Sequence, residues 1–517
     1  MSTTKTIIRS TGIICGFTFL SRILGFVRDI LIARLFGTGS SIQAFVVAFR
    51  IPNVLRELIG EGSTNAVFVP VFSEYLIKNK GELFKIVNIL FNILFIIFCM
   101  ITFLGIVFSP QIVRIIAPGF IIDNYKFNLT ILLTRIMFPY FIFIALTAYA
   151  MGILHTFKRF GLPALGPALL NISMIVFILI SYFFNEPVIA LALGVLVGGI
   201  LQLVIQIPAI YRMDFRFRLF EIQIRHPVVN KITYLLIPRI FGSAIYQLNV
   251  FMDTVFASLT HIVGEGAVAA IYYANRLVQF PLAVFGIALS TASLPVMSEQ
   301  VAINDIERMK STVSFSLRNI FFVMFPSSIG LFLLSHPIIK VLFERGNFNY
   351  YSTCITSWTL IFYSLGLVSF SAIKVLSSAF FSLQDTRTPV KTTALCLIIN
   401  LILNSILMWP LKVGGLALAS SISSTINFLL LFYLLEKRIG RFNYNLLINS
   451  FLKISVGTLI MGLVIYLSWR NLFLNLAEHL RLAMIIILAF GIFIFICSLL
   501  KVEELNTVRT VWSLKRR

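Results

Sequence analysis

Long apolar runs separated by short polar segments dominate the chain from one end to the other. An apolar run of about 18 residues or more is long enough to cross a bilayer as a helix. The runs of this kind lie near residues 11–36, 41–76, 84–108, 128–155, 162–184, 187–211, 229–259, 266–300, 312–336, 352–383, 389–409, 413–436, 449–469 and 481–500. The pattern predicts an all-α polytopic membrane protein with about fourteen transmembrane helices.

Two of these runs are long and interrupted. One is broken at Gly60-Glu61-Gly62, and the other around Pro281 and Gly286. Irregular backbone is tolerated at membrane depth only where it lines a cavity or is buried in protein. Both interruptions therefore predict a kinked or unwound helix beside a cavity.

Basic residues collect in every second connection between the runs. With both termini on one side, the inner connections hold most of them, such as Lys78, Lys158 and Arg212, whereas the outer connections hold few, such as Arg114. Lysine and arginine are enriched in cytoplasmic loops. The bias predicts an even number of spans with both termini in the cytoplasm.

Composition agrees with a chain that lies mostly inside a bilayer: 59% of the 517 residues are hydrophobic, 12% are charged and the mean hydropathy is +0.96. The net charge of +22 does not indicate nucleic acid, because much of it lies in the loops. The five cysteines lie in apolar runs without close spacing, so neither a disulfide framework nor a metal site is predicted. The first run contains two arginines and lacks a small-residue cleavage site, unlike a removable signal peptide.

The sequence repeats itself at an offset of about 225 residues. Residues 69–74 (VPVFSE) return as 294–299 (LPVMSE), with Pro295 matching Pro70 (295 − 70 = 225), and three further segments match in the same order. An offset of about six helices returns the chain to the same side of the membrane, so the halves are predicted to be parallel repeats around a central cavity.

The repeat predicts four parts: an N-lobe with helices 1–6, a C-lobe with helices 7–12, an added pair of helices 13 and 14, and a basic cytoplasmic tail. Their predicted bounds are 1–225, 226–445, 446–500 and 501–517. In transporters built from repeats, the substrate site lies between the halves, and rocking of one half alternates its exposure. The alternative is a duplication with no moving parts.

Charged residues lie inside the predicted spans, where a lipid-facing helix should carry none. The acids are Asp29, Glu57, Glu61 and Asp253, and the basic residues are Arg22, Arg28, Arg34, Arg50, Arg56, Arg135, Arg239, Arg276, Arg318 and Lys374. At ~2.5–3.5 kcal/mol for each mid-membrane charge, ten uncompensated cations would cost on the order of 30 kcal/mol, more than the ~5–15 kcal/mol of net stability of a typical protein. These side chains must face a hydrated cavity or pair with one another.

Helical spacing predicts some of the pairs. Arg22 and Asp29 are seven positions apart and therefore lie on the same face of a helix, and the same holds for Arg50 and Glu57. A structural ion pair, or a place near a helix end from which the charge reaches the interface, is favoured for four arginines, namely Arg34, Arg135, Arg239 and Arg318.

Other arginines have no obvious acidic partner. Arg28 is about 120° around the helix from Arg22 unless Gly25 bends it, and Arg276 has amides rather than acids beside it. With Arg56, these residues are predicted to line a cationic cavity. Guanidinium groups match phosphate and pyrophosphate oxygens. An anionic headgroup on a lipid tail suits such a cavity, because the tail can stay in lipid or in an apolar groove at the added pair.

Several motifs together resemble a known family. They are SRxLGFxRD at 21–29, AFxxAFRxPNxxR at 44–56 with EG at 61–62, YANRL at 273–277 and QDTxTPVK at 384–391. The set is similar to that of the MurJ (MviN) lipid II flippases of the multidrug/oligosaccharidyl-lipid/polysaccharide exporter superfamily, over nearly the whole chain. The resemblance implies two six-helix lobes in a V, and movement of undecaprenyl-pyrophosphate-linked peptidoglycan precursor across the bacterial inner membrane by alternating access.

The resemblance also implies roles for single residues. The predicted substrate-binding residues are Arg22, Arg28, Arg56, Glu61 and Arg276. Asp253 matches a position that is a sodium ligand in some members, and Asp385 is a weaker candidate for cation coupling. Gln43 and Asn275 stand where acids are common in the family, so these positions supply no acid for proton coupling.

No ATP-binding loop occurs in the sequence, so the predicted energy source is a coupling ion, sodium or a proton, or the membrane potential, with no resident cofactor. The predicted partners are lipid II, the membrane and the machinery of cell wall synthesis.

An alternative function is export of another lipid-linked oligosaccharide. A drug exporter should prefer acids in its cavity, since most of its substrates are cations, so the arginines argue against that function. A membrane-embedded transferase would need a positioned base or metal-binding carboxylates, but no HExxH or DxD motif occurs and the histidines lie near segment ends.

Overall fold

A computed structural model describes residues 3–59, 65–213 and 226–505, together with residues 215, 218 and 223. Side chains are described for these residues except 3–15, 59, 65–66, 78, 80 and 237–246. Within this part of the chain the regular structure is helical and contains no strand, so the all-α prediction is confirmed.

The chain divides into two compact units, residues 1–259 and 260–517. The helices of the first unit are α1 (Thr3–Phe36), α2 (Ser40–Ile59), α3 (Asn65–Lys78), α4 (Lys80–Val107), α5 (Ser109–Ile116), α6 (Asn124–Met137), α7 (Tyr140–Thr156), α8 (Gly161–Leu179), α9 (Pro187–Val204), α10 (Ile207–Tyr211) and α11 (Pro227–Ser258). Short 3₁₀ turns cover Pro118–Ile122 and Ser181–Phe183.

The helices of the second unit are α12 (Thr260–Val263), α13 (Ala267–Pro281), α14 (Ala288–Ala302), α15 (Ile306–Leu333), α16 (Ser335–Phe343), α17 (Tyr350–Leu365), α18 (Leu367–Ser382), α19 (Arg387–Leu411), α20 (Val413–Ile439), α21 (Tyr444–Asn471) and α22 (Glu478–Leu499). One π-helical turn, Leu282–Ile287, joins α13 to α14.

The described residues of the fourteen predicted apolar runs lie mainly on these helices. Among the described residues, ten helices are long and apolar enough to cross a membrane, or eleven when α17 and α18, which bend by 44°, count as one span. The remaining three runs coincide with α1, with α2 and α3, and with α11, which carry charged residues. The predicted helix count therefore agrees with the structure.

One of the two predicted interruptions lies in the described part of the chain. Pro281 is the last residue of α13, and the π-helical turn that follows contains Gly286. A methyl group on Gly286 would lie 3.0 Å from Oγ of Ser371, so glycine allows α18 to pack closely there. The helix departs from regular α-helical geometry at the predicted interruption, and the cavity beside it stays a prediction. The other interruption, Gly60-Glu61-Gly62, lies outside the described residues.

Each unit has an apolar core between its helices. In the first unit the core includes Phe72, Leu90 and Tyr149, from α3, α4 and α7. In the second unit a separate cluster joins α21 and α22 to α15, through residues such as Phe322 and Phe493. The added pair is thus packed onto the helices that precede it in its own unit.

The division into units and the predicted lobes are drawn on different grounds. α11 packs against α2, α3 and α5, so by its contacts it belongs with the first unit, which ends at residue 259. The predicted lobe boundary at 225/226 came from the internal repeat, which assigns the same helix to the second half. The predicted lobes and tail remain predictions, and residues 506–517 of the tail lie outside the described part.

Candidate functional site

Arg28 is buried where α1 packs against α8. Its side chain is 6% exposed. Nε and Nη2 donate to Oδ1 of Asp29 at 3.0 and 2.7 Å, and Nη1 donates to Oδ1 of Asn171 on α8 at 2.8 Å. A carboxylate and an amide thus fix the plane of the guanidinium, which offsets the cost of a charge in an apolar span.

Asn171 also holds the backbone of α1. Its Nδ2 donates to the carbonyl oxygen of Ser21 at 2.9 Å. A methyl group on Gly25, one turn later, would lie 3.4 Å from the same nitrogen. At this distance the added methyl group would only touch the amide, so the contact does not by itself require glycine at position 25.

The predicted pairing on α1 is corrected by this arrangement. Arg28 was expected to lack a partner, and Asp29 was expected to pair with Arg22. Asp29 instead accepts from Arg28, and Arg22 is exposed on α1. The prediction from helical spacing covered only partners that lie on the same face of the same helix. The flexible side chain of Arg28 instead reaches the adjacent residue, Asp29, and Asn171 on α8.

A second cluster joins α2 to α11. Nε of Arg56 donates to Oδ1 of Asn53 at 3.0 Å, and Nη2 lies 3.5 Å from Oε1 of Glu57. Nδ2 of Asn53 donates to that same oxygen at 3.1 Å, and Nε2 of Gln247 on α11 donates to the other carboxylate oxygen. Glu57 was expected to pair with Arg50, and its partners are these three residues instead.

The remaining predicted residues are distributed as follows. Arg276, on α13 of the second unit, lies over the ring of Tyr272, with its guanidinium carbon 5.0 Å from the ring centroid, and Nη2 donates to the tyrosine hydroxyl at 3.4 Å. Such stacking orients a guanidinium without neutralising it. Asp253 is half-buried on α11 of the first unit. Glu61 lies outside the described residues.

Asp385 lies at the start of α19 and has several partners. Oδ1 accepts from the backbone N–H groups of Arg387 and Thr388, each at 3.0 Å, and Oδ2 accepts from the Thr388 hydroxyl at 2.7 Å and from Arg438. Burial raises the pKa of Asp385, but the hydrogen bonds from Thr388 and the charge of Arg438 outweigh it and bring the pKa below its ordinary value. The carboxylate caps a helix and closes an ion pair; whether it binds a cation stays a prediction.

Among the arginines expected to be structural, Arg318 forms ion pairs: its Nη1 and Nε lie 3.0 Å from Glu503 and 2.8 Å from Glu504. Arg34 is exposed in the last turn of α1. Arg135, in the last turn of α6, lies within the continuous span Asn124–Thr156, and its Nε donates to the Ser109 hydroxyl at 3.0 Å. Whether these two charges reach the interface stays a prediction. The side chain of Arg239 lies outside the described set.

Sequence reasoning missed the uncharged partners of the charged groups. These residues are Asn53, Asn171, Gln247 and Tyr272. The available signal was an amide side chain inside an apolar run, because such a group is costly to bury unless it is hydrogen-bonded. The identity of the partner was not available from the sequence, since Arg28 and Asn171 are 143 positions apart.

Together these features define a class: an all-helical, multi-span membrane protein whose spans contain guanidinium groups oriented by neighbouring side chains. A family model described as "Lipid II flippase MurJ" matches residues 32–497. The chain belongs to this MurJ family.

Individual relatives cover most of the chain. The probable lipid II flippase MurJ of Buchnera aphidicola subsp. Acyrthosiphon pisum is 36% identical over 80% of this chain and 81% of its own length. The lipid II flippase MurJ of Burkholderia cenocepacia is also 36% identical, over 82% of this chain and 83% of its own.

Solved structures give the same family and a wider fold group. A structure titled "Lipid II flippase MurJ, inward closed conformation" matches with a TM-score of 0.82 and 29% identity, covering 94% of this chain and 98% of that one. An inward-facing multidrug resistance MATE family transporter of the MOP superfamily matches with a TM-score of 0.67 at 16% identity, over 81% of this chain and 94% of its own. The second likeness shows the fold alone.

Proposed function

We propose that this protein is a lipid II flippase, which moves undecaprenyl-pyrophosphate-linked disaccharide-pentapeptide from the inner to the outer leaflet of the bacterial cytoplasmic membrane for peptidoglycan synthesis. The observation that carries the proposal is the family match over residues 32–497. The oriented and partly exposed guanidinium groups of Arg56 and Arg276 support it.

The chemistry of the site suits the headgroup of such a substrate. A pyrophosphate is a dense anion, and a guanidinium binds its oxygens through two parallel N–H contacts when the planar fork is already oriented. Arg56 and Arg276 are each oriented by neighbouring side chains and remain partly exposed. Holding the fork in place before binding lowers the entropy lost on binding. These residues act by binding and release, so the protein is a transporter and not an enzyme.

The remaining features of the proposal concern direction and energy. Both termini lie in the cytoplasm, as the positive charge of the inner loops favours. The two repeats alternate the exposure of the headgroup, and the added pair, α21 and α22, carries the lipid tail. A coupling ion at Asp253 or the membrane potential drives the cycle, and the flippase works with the enzymes that polymerise the wall.

Complementation tests the proposal directly. Bacterial cells depleted of their own lipid II flippase should survive when they express this protein. Arg28→Ala and Arg276→Ala should abolish rescue at equal membrane abundance, whereas Arg308→Ala, at an exposed residue paired with Asp305, should preserve it. Absence of rescue by the wild type would refute the function, and rescue by both alanine variants would refute the role of these arginines.

A further inference from the structure

The cluster around Arg56 spans two helices that are far apart in sequence. Asn53, Arg56 and Glu57 lie on α2, and Gln247, which is 6% exposed, comes from α11. Nε2 of Gln247 donates to Oε2 of Glu57, the neighbour of Arg56 on α2. Among the described side chains, this contact links α11 to Arg56 through the carboxylate of Glu57.

The carboxylate of Glu57 is held at both oxygens. Oε1 accepts from Asn53 at 3.1 Å and lies 3.5 Å from Nη2 of Arg56, while Oε2 accepts from Gln247. Asn53 in turn accepts from Nε of Arg56 at 3.0 Å. Nε and Nη2 form one edge of the planar guanidinium, so fixing that edge fixes the direction of the whole fork.

We propose that Glu57 and Gln247 are positioning residues, which orient Arg56 for the pyrophosphate of the substrate. The inference rests on the proposed function. Gln247 fixes the carboxylate, the carboxylate and Asn53 fix the edge of the guanidinium, and the fork meets the anion already oriented. A movement of α11 against α2 would change the direction of Arg56 through the same contact.

Charge alone predicts the opposite role for Glu57. A carboxylate beside Arg56 lowers the local positive potential and should weaken the attraction for an anion. Both side chains are partly exposed, Arg56 by 22% and Glu57 by 30%, so water screens the pair and reduces this effect. If the orientation of Arg56 matters more than the local electrostatic potential, removing the charge of Glu57 while keeping its hydrogen bonds should change substrate binding little. Breaking the hydrogen bond from Gln247 on α11 should then weaken binding more.

A charge-swap experiment separates these possibilities. The full-length protein is reconstituted into liposomes, and the rate of lipid II movement is measured against the lipid II fraction to give an apparent KM and kcat. Gln247→Leu removes the donor and should raise KM on the order of 10-fold with a smaller change in kcat, within the ~100-fold that misplacing a positioned group can cost. Gln247→Glu should act similarly, because two carboxylates then repel each other.

Glu57→Gln alone should raise KM less than Gln247→Leu does, because the new amide oxygen still accepts from Asn53 and Arg56, and the amide nitrogen can donate to Gln247 after rotation of the Gln247 amide. The double variant Glu57→Gln/Gln247→Glu should restore the KM lost in Gln247→Glu, since it reverses donor and acceptor across the same contact. Leu248→Ala, at the neighbouring residue, which is 45% exposed, is the matched control and should change neither parameter.

An Arg56→Ala background provides the decisive readout. If Gln247 acts through Arg56, then Gln247→Leu should change KM no further once the arginine is absent. A purely structural role would instead lower kcat and thermal stability in both backgrounds. If Gln247→Leu fails to fold, the swap pair still tests the contact.

The outcomes separate the inference from the function on which it rests. No movement of lipid II by the wild type would overturn the proposed function and the inference with it. Movement with an unchanged KM in Gln247→Leu, or without recovery in the double variant, would overturn the inference alone. An increase in affinity in Glu57→Gln, which removes the negative charge beside Arg56, would show that the local potential at Arg56, rather than its orientation, controls binding.

Discussion

Nη1 of Arg28 lies 2.8 Å from Oδ1 of Asn171, and this hydrogen bond joins the first helix of the chain to α8. The other end of the same amide donates to the backbone oxygen of Ser21. One asparagine therefore fixes both a guanidinium and the helix turn that precedes Gly25. The buried charge on α1 is tolerated because Asp29 and Asn171 satisfy it.

Asn171→Ala should destabilise the protein and impair transport. The substitution leaves Nη1 of Arg28 without this acceptor in a buried position, and an unsatisfied buried polar group costs about 1–3 kcal/mol. We expect a lower thermal unfolding temperature in detergent and slower movement of lipid II in proteoliposomes.

Asn171→Asp isolates the two halves of this contact. It keeps the acceptor for Arg28 but loses the donor to Ser21, so transport should fall less than in Asn171→Ala. Equal stability of Asn171→Ala and the wild type would show that the amide does not hold the guanidinium.

The contrast between the helices and their charges shows what a sequence can predict here. Apolar run length is a local property that bilayer thickness dictates, and the described part of each predicted run lies mainly on helices. The partner of Arg28 is not local, since Asn171 meets α1 only after α8 has packed against it. Helical spacing could find candidate pairs on one helix, but Arg22 and Asp29 show that shared phase does not decide which pair forms.

Glu504→Gln should cost far more stability than Glu503→Gln. Both carboxylates pair with Arg318 on α15, but the side chain of Glu504 is 1% exposed and that of Glu503 is 66% exposed. Glu504 also accepts from the hydroxyl of Ser450 on α21 at 2.9 Å. Breaking a buried ion pair costs about 3–5 kcal/mol, whereas an exposed pair contributes about 0–1 kcal/mol.

Thermal unfolding of the two variants in detergent measures the difference, with each residue serving as the control for the other. The ion pair fastens the segment after α22 to α15 and α21, so protease cleavage near residue 504 should also increase in Glu504→Gln. A similar unfolding temperature for both variants would contradict the buried pair.

Gly119→Ala should be strongly destabilising. A methyl group there would lie 2.0 Å from the backbone oxygen of Ser258 at the end of α11, and backbone atoms cannot move aside as a side chain can. The amide of Gly119 also donates to the Ser258 hydroxyl at 3.2 Å. Gly330→Ala is the control, because nothing lies within 4 Å of its added methyl group, and alanine in a helix is favoured by about 0.5–1 kcal/mol. Gly119→Ala should therefore lower the unfolding temperature and Gly330→Ala should not; equal behaviour would refute the close approach.

The charge of Asp385 should stabilise the protein at neutral pH and cease to do so in acid. Burial raises the pKa of this carboxyl. The hydrogen bonds from Thr388 and the charge of Arg438 lower the pKa by more than burial raises it, so the folded pKa lies below the ordinary value of 3.8. A carboxyl whose pKa is lower in the folded state stabilises that state above the unfolded pKa, and the contribution disappears as the pH falls through the folded pKa.

Asp385→Asn keeps a residue that can cap α19 but removes the charge that faces Arg438. The unfolding temperature of this variant should be below that of the wild type at pH 7, and the difference should shrink below about pH 4. A difference that stays constant between pH 7 and pH 3 would mean that the carboxylate charge does not stabilise the fold.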